Sequence, residues 1–220
     1  MNRLGSTMLL LATAVALSTL AADAAAQEPE KEPIGRFAAD ARIALPRFPE
    51  DAATATTLGV TADNLPSRGL GVAAGVHFYP ARLGPVALGI GGEWLLSRGS
   101  KTLDPEEEGG ASGPTVNTRF SALSPQLSLN FGGRSGWSYV SGGIGWAAFT
   151  TELEDSPVAD ATGRTRAINY GGGARWFAKK HLAFTFDLRF YRINPQDATA
   201  GRPAYGGRRM MVFSAGIGLK

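Results

Sequence analysis

Seven charged residues stand at alternate positions of otherwise apolar stretches: Arg36, Asp40 and Arg42, then Glu93, Arg175, and Asp187 with Arg189. Four cations nearly cancel three acids. A buried charge is costly unless a partner neutralises it, so such a set would pair into a network wherever water is scarce. Two kinds of chemistry are open to it, a gate or proton path and the structural closing of a sheet. The near-balance of charge favours the structural role.

Other chemistries are poorly provided for. Serine-based acyl hydrolysis needs a basic side chain and an acid that orients it, and the two histidines are His77 and His181. One falls near the end of a periodic stretch and the other in a short connection. Both are expected as interfacial polar residues away from any suitable serine, and two His make a poor transition-metal site. Cys is absent, which removes thiol catalysis, disulfides, Cys-ligated zinc and lipoprotein acylation. Gly89-Ile90-Gly91-Gly92 and Gly171-Gly172-Gly173 resemble phosphate loops only superficially, because they lie within strand-like stretches rather than before a helix. Asp104, Glu106, Glu107 and Glu108 form one acidic cluster, and Glu152, Glu154, Asp155 and Asp160 another. Carboxylates attract hard cations, but this spacing matches no defined calcium loop and reads as solvated charge. The net charge of +3 comes without a Lys/Arg run, which gives no nucleic-acid partner. No cofactor, no metal and no enzymatic activity are expected.

The elements that must position the charged residues follow from hydrophobic period. Arg3 precedes the apolar run Met8–Leu20, and Ala24-Ala25-Ala26 supplies a small-x-small site, which together predict a signal peptide over 1–26. The run is shorter than the roughly 20 residues a spanning helix needs. Residues 27–33 read as a flexible leader, and 34–220 as one domain.

Within that domain the period is two. Phe37, Ala39, Ala41, Ile43 and Leu45 share one face, with Arg36, Asp40 and Arg42 on the other. The same alternation recurs around Val72, Ile90, Leu127, Ile144, Ile168, Phe186 and Phe213, giving eight strands. In the fourth, the apolar parity changes between Phe120 and Leu123, and Pro125 follows. Either a bulge near Ala122–Ser124 shifts the register, or the strand begins at Leu123. Short turns are expected at Pro80–Gly84, Gly132–Gly136 and Ala178–His181. Long loops are expected at Pro46–Arg68, Gly99–Asn117, Thr151–Gly163 and Asn194–Gly207. Strict alternation of long and short connections is the asymmetry of a transmembrane barrel, with long loops outside and both chain ends in the periplasm.

Two barrels fit a period of two. A soluble lipocalin-like barrel turns apolar residues inward around a ligand, whereas a membrane barrel turns them to lipid. Three features select the membrane solution. Phe37, Phe78, Phe131, Trp176 and Phe184 gather near the short turns, and Trp94, Trp146 and Phe190 nearer the long loops, forming two aromatic girdles. The opposite face is rich in Gly, which makes room in a narrow lumen. The charges on that face could not face lipid, where each Arg near the midplane costs roughly 2–4 kcal/mol. The fold class is therefore all-β, an eight-stranded antiparallel up-and-down transmembrane barrel.

From Ile34 to the closing stretch Met211-Val212-Phe213-Ser214-Ala215-Gly216-Ile217-Gly218-Leu219-Lys220, the chain resembles the small outer-membrane barrels of the OmpA, OmpX and opacity-protein type. Members usually finish on an aromatic residue read by the assembly machinery, and Leu219-Lys220 departs from this. The resemblance implies a monomer in the outer membrane, in contact with lipid and lipopolysaccharide, inserted by that machinery. It implies an envelope-structural or surface-loop role. A lipid A-modifying enzyme is the remoter alternative. OmpA continues into a peptidoglycan-binding domain, which is not expected here.

Overall fold

In the computed structural model, residues 33–105, 112–198 and 204–220 are described. The expected signal peptide, most of the leader, and Glu106–Glu108 lie outside these residues. Nine strands form: β1 Phe37–Arg47, β2 Leu70–Leu83, β3 Val86–Thr102, β4 Thr115–Gly133, β5 Gly136–Leu153, β6 Ala159–Ala161, β7 Thr165–Phe177, β8 Leu182–Ile193 and β9 Arg208–Leu219. All pair antiparallel, and β1 hydrogen-bonds to β9, so eight of them close into a barrel. Three-residue β6 is an annex that pairs with the end of β5 beyond the ring.

Alternation fixes which side of each strand faces where. Ile43, Val72, Ile90, Leu127, Ile144 and Ile168 point out and are exposed, while their sequence neighbours Arg42, Ala73, Asn169 and Ala167 are buried inside. Closure removes every free edge except that of the annex, which is the condition for strands to exist in hydrocarbon.

The fourth strand corrects both sequence-based alternatives. β4 begins at Thr115 and holds one unbroken register against β3, from Thr102↔Thr115 to Val86↔Phe131. Instead of a bulge, Pro125 leaves a gap in the β4–β5 ladder between Leu123↔Trp146 and Leu127↔Gly142, with the same register on both sides. Phe120 keeps inward parity and is buried. The apparent phase change is a change in what the lumen contains. The register shift lies elsewhere, between Phe78 and Ala81 on β2. There the chain expected to turn at Pro80 stays in the sheet to Leu83, and Gly84, at φ +60°, begins the turn.

The connections at the other end are partly ordered. β3, β4 and β5 run past the expected loop boundaries. The first long connection holds a short helix, α1 (Ala52–Leu58), capped by the Asp51 carboxylate at its start and by Gly59, at φ +71°, at its end. Gly at this left-handed position meets no Cβ penalty. Ala55 and Leu58 of α1 pack with Leu65 and Val116.

Candidate functional site

The lumen is stratified. At the turn end Ile34, Ala38, Tyr79, Ala87 and Trp137 pack together. At the loop end Phe48, Leu95, Phe120, Phe149, Ile193 and Met210 belong to a larger apolar cluster. Between them lie six of the seven charged residues: Asp40 and Arg42 from β1, Glu93 from β3, Arg175 from β7, and Asp187 and Arg189 from β8. Arg36 is not among them. It stands one residue before β1, is exposed, and engages the barrel through its carbonyl, which accepts from Tyr79 N at 2.8 Å. Parity placed it on the right face, but at the end of the barrel that face is open to water.

Arg42 is the hub. Its guanidinium pairs with Glu93, lies 3.2 Å from Asp187 Oδ1, and donates to Ser214 Oγ at 3.1 Å. Its Nε is 2.7 Å from Asp40 Oδ1, an ion pair whose approach is too bent for a hydrogen bond. Arg175 Nη2 donates to Asp40 Oδ2 at 2.6 Å. Arg189 is 2.8 Å from Asp187 Oδ2 and 3.1 Å from Glu93 Oε1. Its remaining donors reach Asn169 Oδ1 at 2.9 Å and Ser141 Oγ at 3.0 Å. Three cations thus face three acids, with polar neighbours taking up further donors, the condition under which buried charges are tolerated.

Tyrosines complete the layer. Tyr191 OH donates to Glu93 Oε1 and Tyr139 OH to Asp187 Oδ2, each at 2.8 Å. The Arg175 guanidinium lies 4.5 Å from the Tyr139 ring centre. Tyr139 reaches this place by lying across Gly173, its cross-strand partner, where a Cβ would come within 2.6 Å of the phenolic oxygen. Sequence reasoning did not single out Tyr139, and its inward parity beside Ser141 was the available signal.

The other sequence candidates fall apart as reaction sites. His77 is a lumenal residue rather than an interfacial one. It is buried near the Tyr139 ring, and among the described residues neither ring nitrogen has a hydrogen-bond partner, serine included. His181 is exposed, with Nδ1 3.0 Å from the Lys220 carbonyl. Three of the four residues of the second acidic cluster are engaged by protein groups. Glu152 lies 3.1 Å from Arg119, Glu154 accepts from Thr115 N at 3.2 Å, and Asp160 turns inward.

Asp160 belongs to a site that the sequence concealed. Arg208, at the start of β9, is 2.6 Å from Asp160 and 2.9 Å from Asp51, and it hydrogen-bonds to Thr54 on α1. Its guanidinium stacks 4.1 Å from the Tyr205 ring centre and 5.0 Å from that of Phe149. One buried side chain thereby ties three long connections together over the barrel mouth. Burial alone would raise the Asp51 carboxyl; the Ala53 amide and Arg208 outweigh it and hold it below its ordinary value.

On the exterior, Phe37 pairs across with Phe78, and Trp176 with Phe184, with Phe131 nearby at the turn end. Trp94 and Trp146 flank Leu123 toward the loops, and Phe190 stacks on Tyr170. All eight expected girdle residues are at least a third exposed, and each faces outward.

Residues 12–220 match the family described as outer membrane protein beta-barrel domain. The chain belongs to that family. An outer-membrane β-barrel protein crosses with its strands, and the exposed apolar band is its lipid-facing surface. A soluble ligand-holding barrel would need that band turned inward. Among solved structures, neisserial surface protein A (NspA) superposes with a TM-score of 0.50 at 10% identity, covering 84% of this chain and 96% of its own. Ail, the attachment invasion locus protein of Yersinia pestis, gives 0.46 at 13%, covering 84% and 98%. The Escherichia coli outer membrane protease OmpT gives 0.45 at 8%, covering 88% and 99%. At 10% identity the likeness to NspA conveys the fold alone. No curated protein sequence matches the chain.

Proposed function

We propose that this outer-membrane barrel is non-enzymatic, that its charged lumen is structural, and that its working surface is the loop end. The observation that carries this reading is the filled lumen: an apolar layer at each end and, between them, six charges bound to one another. An eight-stranded barrel has interior space only for side chains, and the charged ones here are held by ion pairs among themselves. At the loop end, by contrast, the Arg208 latch joins three of the four long connections. In this reading a signal peptide over 1–26 directs export, 27–33 is a leader, the assembly machinery inserts a monomer, and both chain ends stay in the periplasm.

The absence of Cys makes orientation directly testable. Ser112→Cys lies in a long loop and Lys179→Cys in a short turn. In intact cells a membrane-impermeant maleimide should label the first and spare the second. Labelling of the turn alone would reverse the orientation. For the role itself, a strain lacking the protein would be complemented with a variant in which 52–64 is replaced by a short linker. Full complementation by that variant would sink the loop-surface reading.

A further inference from the structure

Three times around the barrel exterior, two arginines stand directly opposite each other on adjoining segments. They are Arg47 with Arg68, Arg98 with Arg119, and Arg192 with Arg209. All six are exposed. Arg119 has Glu152 at 3.1 Å, and among the described residues the other five have no acidic partner. Like charges directly opposite on a sheet are destabilising. Three such pairs at one end of a barrel call for anions between them. Arginine suits phosphate in particular, because its planar fork donates two parallel hydrogen bonds.

Height and surroundings identify the kind of anion. Two residues nearer the middle, a step of about 7 Å, the same outward faces carry Leu45 and Leu70, Leu96, and Phe190 with Met211. The pairs therefore stand at the upper border of the apolar band. Beneath Arg98 and Arg119 an open groove of about 700 Å³ runs between Ile43, Leu70, Val72 and Leu96, hollowed where Ser121 and Ala148 are small. A soluble anion would use the arginines and ignore the groove. An acyl chain would fill the groove, with its phosphate held at the rim.

We infer that these opposed arginines clamp the phosphates of a multiply acylated, phosphorylated lipid, and that the groove below Arg98 and Arg119 receives one of its acyl chains. That the lipid is a glycolipid of the outer leaflet rests on the loop-outward orientation proposed above. The phosphate and acyl recognition does not.

The test uses the full-length protein refolded into phosphatidylcholine nanodiscs containing a small fraction of bisphosphorylated lipid A, with retained lipid read by native mass spectrometry. The wild type should retain lipid A and release its dephosphorylated form. R98Q/R119Q should lower retention at least roughly tenfold, the loss of charge-assisted hydrogen bonds. Ser121→Phe should lower it too, by filling the groove without touching charge. The pair R36Q/R82Q, exposed at the turn end, should change nothing. Heat-modifiable gel mobility confirms that each variant is folded. Equal retention of dephosphorylated lipid, or full retention by R98Q/R119Q, would overturn the clamp. Complete displacement by millimolar inorganic phosphate or sucrose octasulfate would replace the lipid with a soluble anion. If lipid A binds as expected while the loops label from the periplasm, the orientation fails and the clamp stands.

Discussion

Replacing Arg42 by Met tests whether the lumenal layer is an ion-pair network rather than a set of independent contacts. The side chain is 4% exposed as a residue and touches three acids. Without it Asp40 keeps Arg175 at 2.6 Å, while Glu93 and Asp187 must share Arg189. One negative charge is left buried without compensation, a defect of about 3–5 kcal/mol. With a urea dependence of about 2 kcal/mol per molar, the unfolding midpoint falls by about 2 M. Glu93→Gln alone leaves the opposite imbalance and should lose a similar amount. The double variant R42M/E93Q restores two cations against two acids, and Tyr191 OH retains an acceptor in the Gln carbonyl. It should be less destabilised than either single change, with a coupling of at least about 2 kcal/mol. The assay is urea titration of the barrel in phospholipid vesicles, followed by tryptophan fluorescence and by gel mobility without boiling. Losses that simply add, or an R42M midpoint within about 0.3 M of wild type, would refute the network.

Arg208→Gln should free α1 and the loops it joins while leaving the barrel closed. Limited proteolysis should then cut within 49–65 much faster, with gel mobility unchanged; equal cleavage rates would dismiss the latch. The Asp51 carboxyl titrates below its ordinary value, so its contribution to the latch is complete above about pH 4 and fades as pH falls through the lower folded value. Amide exchange of α1 should accordingly be flat from neutrality to about pH 4.5 once corrected for intrinsic rates, and should rise below about pH 4. A rise near pH 6 would point to a different group. Leu127→Arg, on the outward face, should cost about 2–4 kcal/mol in vesicles, whereas a neutral outcome would remove that position from the hydrocarbon.

Strand number, parity and the six lumenal charges were legible because each strand is a local object. Period two assigns a face from a handful of neighbours, and charge cannot face lipid. Height along the barrel is not encoded that way. Arg36 shares parity with Asp40 and Arg42 but stands beyond the first strand residue, and His77, expected at an interface, lies within the lumen. The parity of β4 misled for a related reason. Apolar-outside is a rule about lipid, and it does not require every inward residue to be polar. Away from the charges the interior needs only packing, so Phe120 and Leu95 are free to be apolar there. The Arg208 latch left no local trace at all, because Asp51, Asp160 and Tyr205 come from three separate connections.

The provenance of the six charges bears on how the sheet becomes a cylinder. Asp40, Arg42 and Glu93 come from the first four strands and sum to one negative charge; Arg175, Asp187 and Arg189 come from the last four and sum to one positive charge. Neither half is neutral on its own. In the closed barrel the pairs Asp40–Arg175, Arg42–Asp187 and Glu93–Arg189 join the two halves and cancel the excess of each. Closure is therefore drawn by attraction between two oppositely charged halves. A sheet that paired with a second copy of its own first half would bring two negative faces together. The interior carries, in its arithmetic, a bias toward sealing with the correct partner strand.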